Sequence, residues 1–268
     1  MFTRLACCMP ILREFLSVEL PLSKKLTILV RIIANKKRIP SATGFLEQLT
    51  MISALLKTDV PGVVVECGTY YGGSAVNLSL ACKLSRRRLF VFDSFEGLPE
   101  PSDDDSRHHV IMADEVHVYA KGNWRGSLEL VKRNVERFGA IDVCTFTKGY
   151  FDNSLPHFSE PVAFAFCDAD LKDSVRTCIR YLWPVMNDGA KFFTHEAHHM
   201  EVAELFFDRG WWAQEMSTTP PGLVGAGSGL GLTPQPGGFL GSSIGYTIKN
   251  PKLRTESLQI GVRELAIR

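Results

Sequence analysis

The sequence predicts one α/β domain with a doubly wound, mostly parallel sheet, an antiparallel last strand and helices at its N-terminus. Three observations carry this. Short apolar runs without alternation recur along the chain, at residues 63 to 67 (VVVEC), 89 to 93 (LFVFD), 143 to 146, 162 to 168 (VAFAFCD) and 190 to 196 (AKFFTHE). Such runs fit parallel strands covered on both faces. Helix candidates at 73 to 84, 126 to 138, 173 to 183 and 199 to 209 alternate with them, which is the pattern of repeated strand-helix crossovers in a Rossmann-like sheet. A chain of 268 residues suits a single such domain with additions.

The elements follow in order. Residues 11 to 38 place Leu, Ile and Val at helical spacing among Lys24, Lys25, Arg31, Lys36, Lys37 and Arg38, so amphipathic helices are expected, with a further helix over 43 to 57. This makes 1 to 58 an N-terminal helical segment packing on the core, 59 to 250 the cofactor-binding domain, and 251 to 268 a C-terminal tail. Two connections are too long for turns: 94 to 122, with the acidic run Asp103 to Asp105 and with His108 and His109, and the Gly- and Pro-rich 217 to 242. Both are expected to cover a substrate as lids. The last strand, 242 to 249 (SSIGYTIK), alternates and belongs at the sheet's far side.

Composition limits the partners. Thirty basic and 29 acidic residues give a formal net charge of +1, which provides no global field for nucleic acid or an anionic membrane. A small molecule is the expected partner, and self-association into a homo-oligomer is left open. Seven cysteines, odd in number and without paired CxxC spacing, read as reduced core thiols. Charged residues break the apolar N-terminal stretch before a signal core or an 18-residue span forms, so a cytoplasmic location without membrane insertion is expected.

The chemistry gathers where the first strand ends, in ECGTYYGGS, Glu66 to Ser74. Glycine lets backbone approach a ligand closely, and the helix start offers free N–H groups at the carboxyl ends of the strands. The spacing departs from G-x-G-x-x-G. Glu66 would repel a phosphate and attract a cationic amino group, which favours S-adenosylmethionine over NAD. Asp93, 27 residues on and ending the second strand, is suited to accept hydrogen bonds from both ribose hydroxyls of an adenosine. Alone, a glycine turn is weak evidence and a strand-end Asp is often a helix cap; their order together supports a cofactor site.

The segments ECGTYYGGS, VFDSFEGLPEP (91 to 101), KGYFDNSLP (148 to 156), CDADLKDS (167 to 174) and LWPVMNDGAKFFTHEA (182 to 197) resemble the family of macrocin and mycinamicin O-methyltransferases, over about residues 45 to 210. The resemblance implies an S-adenosylmethionine-dependent O-methyltransferase of natural-product biosynthesis, acting on a sugar or other small-molecule hydroxyl. It implies cofactor contacts from Glu66, Gly68, Gly72, Gly73, Ser74, Asp93 and Ser94, with Tyr150 or Phe151 as an aromatic wall for adenine.

The family also holds magnesium through an aspartate after the fourth strand and an adjacent pair after the fifth. Here Asp168 matches the first, but the pair falls on His195 and Glu196. An Asp, His, Glu set suits magnesium less well than an all-carboxylate set and leans towards manganese, iron or zinc. Two roles stay open: a divalent metal (Mg or Mn) held by Asp168, His195 and Glu196, or a metal-free site in which a neutral His195 is the catalytic base beside Asp168, with Asp170 a weaker candidate for either. His198 and His199 carry no assigned role. The alternatives at this point are a nucleotide-cofactor oxidoreductase and a cofactor-binding protein without methyl transfer.

Overall fold

A computed structural model describes residues 2–103, 105, 109–112, 115–234 and 240–251. The chain begins with α1 (Phe2–Leu16), α2 (Leu22–Arg38) and α3 (Phe45–Lys57), then runs β1 (Val63–Cys67), α4 (Gly73–Ser85), β2 (Leu89–Asp93), β3 (His109–Met112) and β4 (Glu115–Val118). It continues with α5 (Leu128–Phe138), β5 (Cys144–Lys148), α6 (Phe151–Ser154), β6 (Val162–Cys167), α7 (Lys172–Val185) and β7 (Met186–Thr194). The remaining elements are α8 (Met200–Leu205), α9 (Arg209–Glu215), β8 (Thr233–Pro234), β9 (Leu240–Gly241) and β10 (Gly245–Ile248). The expected C-terminal tail lies outside the described residues apart from Pro251, as does His108.

The main sheet has the order β10-β7-β6-β1-β2-β5, with β10 antiparallel to β7 and every other pair parallel. Every residue of β1 and of β6 is buried, which is why these segments read as continuous apolar runs without alternation. The chain winds outward from β1 in both directions, first to β2 and then back across to β6. That reversal is the point at which an open α/β sheet leaves a crevice above its carboxyl ends.

α4 is buried along its first ten residues, from Gly73 to Cys82, because it lies between the sheet and the N-terminal helices. One apolar cluster runs from Phe15, Ile28 and Ile32 through Leu49 to Val64, Val76 and Phe164, so the N-terminal helices share the core of the sheet. Buried amides fix them there: Asn35 of α2 donates to Asn77 Oδ1 of α4 at 2.9 Å, and Asn77 donates to Gln48 of α3. Satisfied polar groups in a core specify one arrangement, since any other leaves a buried donor or acceptor unpaired.

The structure differs from the sequence expectations at three places. The connection 94 to 122 contains an antiparallel ladder, β3 with β4, and is not a plain loop. The helix expected over 199 to 209 is two short helices, because the Asp208 side chain accepts from Trp211 N at 3.0 Å and so caps a new start. In the described part of the segment 217 to 242, Val224 bridges Tyr246 and Leu223 and Leu232 are buried, so this part packs on the sheet where an open loop was expected. The five cysteines whose side chains are described, Cys67, Cys82, Cys144, Cys167 and Cys178, are free thiols. No helix among the described residues is long and apolar enough to cross a membrane.

Candidate active site at the sheet's switch point

A cavity of about 720 Å³ opens at the crevice above β1 and β6. Its floor is made by the ends of four parallel strands. Gly68 and Thr69 follow β1, Asp93 ends β2, Asp168 to Asp170 follow β6, and His195 and Glu196 follow β7. Of the residues expected from sequence, Gly68, Ser74, Asp93, Ser94, Tyr150, Phe151, Asp168, His195 and Glu196 line it.

Glu66, Gly72 and Gly73, also expected at the cofactor from sequence, are not among the described residues that line this cavity. The glycines answer to protein neighbours. An added Cβ at Gly73 would come 2.7 Å from Ser41 Cβ, so this glycine admits the connection between α2 and α3. Gly68, with φ of +82°, would place a Cβ 1.8 Å from the Asp168 carbonyl oxygen, so it permits the close approach of the β1 and β6 ends. Glu66 is fully buried, and neither carboxylate oxygen has a hydrogen-bond partner of good geometry among the described residues. Burial pushes its pKa up to about 8; Asp168 and Asp93 add to the rise, while Ser74 and Thr69 oppose it.

Asp93 is oriented by the backbone. Its Oδ2 accepts from Thr69 N at 2.7 Å and its Oδ1 from Phe95 N at 2.6 Å, and the Tyr70 amide also faces the carboxylate, which holds it at the cavity wall. Burial raises its pKa, against the pull of these amides. Ser94 is spent on local structure: its hydroxyl donates to Gly97 O at 2.7 Å and accepts from Glu96 N, closing the turn after β2. Tyr70 stacks on Tyr71 with centroids 3.9 Å apart, and Trp124 meets Tyr70 edge-on, so aromatic surface covers one side of the opening.

The polar cluster lies between β6 and β7. His195 Nδ1 is 3.2 Å from Asp168 Oδ1, and its Nε2 is 3.8 Å from Glu47 Oε2. Burial works against a charged ring, but Asp168 and Glu47 outweigh it and hold the His195 pKa well above the usual imidazole range. The neutral imidazole expected from sequence is therefore not the form this environment favours. Glu196 accepts from the amides of Ala169 and Asp170, each at 3.0 Å, and from the Thr194 hydroxyl at 2.5 Å. Burial, then Asp168, pushes its pKa up to about 7. Asp170 stands in a left-handed conformation, φ +59°, and its carboxyl is pushed well up by burial, then by Asp168 and Glu196. The buried Tyr119 hydroxyl faces it.

One ligand atom each from Asp168, His195 and Glu196 lie within 4.8 Å of one another, close enough to share a single cation. Glu196 keeps one lone pair after its three hydrogen bonds, so the set fits a metal, and its single nitrogen donor suits manganese, iron or zinc better than magnesium.

Several cavity residues escaped the sequence reading. Pro40, Ser41 and Ala42 come from the connection between α2 and α3, Tyr119 and Trp124 from the long connection after β2, and Ser243 from the lead into β10. Glu47, which touches His195 from α3, had a sequence signal only as the third residue of a helix start. His198 and His199 also line the cavity.

The chain matches the family described as Macrocin-O-methyltransferase (TylF) over residues 44–204, more than half its length. It is 32% identical over 143 residues to the 8-demethyl-8-(2,3-dimethoxy-alpha-L-rhamnosyl)-tetracenomycin-C 4'-O-methyltransferase of Streptomyces olivaceus, a match covering 52% of this chain and 54% of that protein. It is 28% identical over 144 residues to the mycinamicin III 3''-O-methyltransferase of Micromonospora griseorubida, covering 52% and 56%. The matches thus span about half the length of these curated relatives. Among solved structures, the O-methyltransferase NovP superposes with a TM-score of 0.61 at 16% identity, over 84% of this chain and 99% of that one, a likeness of fold.

Proposed function

The chain belongs to the macrocin O-methyltransferase family, and from that premise we propose that it transfers a methyl group from S-adenosylmethionine to a hydroxyl of a small glycoside. The observation that carries the reading is one cavity at the sheet's switch point that joins Asp93, on the cofactor side, to Asp168, His195 and Glu196. When bound, the cofactor supplies a sulfonium methyl group open to in-line attack.

The chain's own residues do the rest. Asp93, held at the cavity wall by backbone amides, accepts from the adenosine ribose. Tyr150 and Phe151 wall the same side. Asp168, His195 and Glu196 would hold a divalent cation, which would supply Lewis-acid polarisation of the acceptor hydroxyl there. Asp170, beside this set and facing the Tyr119 hydroxyl, would take the hydroxyl proton in its ionised form, which a cation at the neighbouring site would favour against the burial that raises its pKa. Orientation of the acceptor, more than acid strength, provides the rate, because a displacement at carbon needs the attacking oxygen aligned with the bond that breaks.

The cavity also selects its acceptor. Its described lining carries six carboxylates, Asp93, Asp152, Asp168, Asp170, Asp173 and Glu196, and no Lys or Arg. With a carboxyl-rich lining and no described Lys or Arg to pair a phosphate, a neutral or cationic glycoside is favoured over a nucleoside-diphosphate sugar.

A second reading rests on His195 standing between two carboxylates, an arrangement that also serves a histidine base. One assay separates the two. Methyl-labelled S-adenosylmethionine is offered with neutral glycosides and with the corresponding nucleoside-diphosphate sugars, before and after chelation. The metal reading expects label on the neutral glycosides, loss on chelation and recovery best with Mn²⁺. Transfer unaffected by chelation but reduced about 100-fold or more in His195→Ala supports the base. Transfer to none of the acceptors contradicts the function.

A further inference from the structure

We infer that Glu47, in the first turn of α3, is a positioning residue for His195: it fixes the imidazole so that Nδ1 faces Asp168 and the cavity. This rests on the proposed use of His195 in methyl transfer and extends the working site into the N-terminal helices.

The geometry is specific. His195 Nδ1 lies 3.2 Å from Asp168 Oδ1, and the opposite nitrogen, Nε2, is buried without a hydrogen-bond partner, with Glu47 Oε2 3.8 Å away. A buried ring N–H is costly unless an acceptor faces it, so the carboxylate favours the ring orientation that turns Nε2–H towards it. Glu47 itself cannot swing. Its Oε2 accepts from Gly44 N at 2.6 Å and its Oε1 from Ser243 N at 2.8 Å, and its side chain is 7% exposed. A carboxylate held from two sides is a fixed reference for the ring, as outer carboxylates are for metal-bound or catalytic histidines generally.

The consequence is structural coupling. Glu47 ties together the α3 start, the lead into β10 and the end of β7, which are distant in sequence. Pro40 to Ala42, just before α3, line the same cavity. A shift of the α3 start on acceptor binding therefore reaches His195 directly.

The test is a double-mutant cycle of Glu47→Gln and His195→Gln in the full chain, read by Mn²⁺ calorimetry, by kcat of methyl transfer and by Tm, with ¹⁵N NMR of the histidine rings in the metal-free protein. A positioning role predicts that Glu47→Gln weakens Mn²⁺ binding about 10- to 100-fold and lowers kcat, and that it does neither in the His195→Gln background. Any loss of Tm from the weakened helix start should persist in both backgrounds. Equal losses of Mn²⁺ affinity and kcat in the two backgrounds would show a structural role and overturn the proposal. The NMR stands apart from metal binding and turnover: Glu47→Gln should move both His195 ring nitrogens and leave those of exposed His157 in place. Unmoved His195 signals would overturn the positioning role. Moved signals without Mn²⁺ binding or turnover would uphold it while sinking the functional reading beneath it.

Discussion

Glu66 shows how far burial alone can set a side chain's behaviour. At the end of β1 it has no exposed surface and no hydrogen-bond partner of good geometry among the described residues, and its pKa is pushed up to about 8, so near neutrality it carries its proton. The folded value lies above the unfolded one. Its contribution to stability is therefore complete at acid pH, below the ordinary carboxylate range, and is lost as pH rises through about 8. We expect Tm of the native chain to fall between about pH 6 and about pH 9 more steeply than that of Glu66→Gln. Parallel curves would show that Glu66 is charged or solvated in the fold. At Asp93 the expectation concerns binding. Asp93→Asn keeps an oxygen for the Thr69 or Phe95 amide but loses the carboxylate proposed to meet the ribose, and S-adenosylhomocysteine should bind about 10- to 100-fold more weakly by calorimetry. Unchanged affinity would remove Asp93 from the cofactor site. Asp93 was legible in the sequence because a strand end fixes both position and direction. Glu47 was not, because its partner amide belongs to Ser243, 196 residues away, and its local pattern reads equally well as a helix cap.

At the scale of elements, the strands were the most legible part, since burial on both faces leaves an uninterrupted apolar run in β1 and β6. The pairing of β3 with β4 left no such mark: with four residues in each strand, the ladder is too short for alternation to stand out within the long connection. The break between α8 and α9 depends on one capping side chain, Asp208, which a periodic apolar pattern does not register. The N-terminal helices read correctly as amphipathic, yet their role in the cavity depends on how they dock. That docking rests on the Asn35, Asn77 and Gln48 amides, and Gln48 Nε2 reaches on to Ser41 Oγ, at the cavity wall, at 3.3 Å. Asn77→Leu leaves Asn35 and Gln48 buried with unmet groups. It should cost about 1–3 kcal/mol in denaturant unfolding and raise KM for the acceptor more than for the cofactor. Equal stability would mean that apolar packing alone seats these helices.

For the molecule as a whole, the architecture and the site have one cause. Winding outward from β1 in both directions puts the ends of β1, β2, β6 and β7 around a single crevice, and the residues that carry chemistry are those just past these ends. A sequence reader can predict that convergence from strand order. The roof is harder, because Trp124, Tyr119 and Pro40 to Ala42 arrive from connections whose paths sequence does not specify. The central claim is that this crevice seats S-adenosylmethionine, with its reacting end towards Asp168 and His195. The most direct measurement is a crystal structure of the chain grown with S-adenosylhomocysteine and Mn²⁺. The account predicts the ribose hydroxyls on Asp93, the adenine beside Tyr150 or Phe151, and manganese on Asp168, His195 and Glu196 on the sulfur side of the cavity. A ligand seated elsewhere, or seated here with its sulfur turned away from Asp168 and His195, would contradict it.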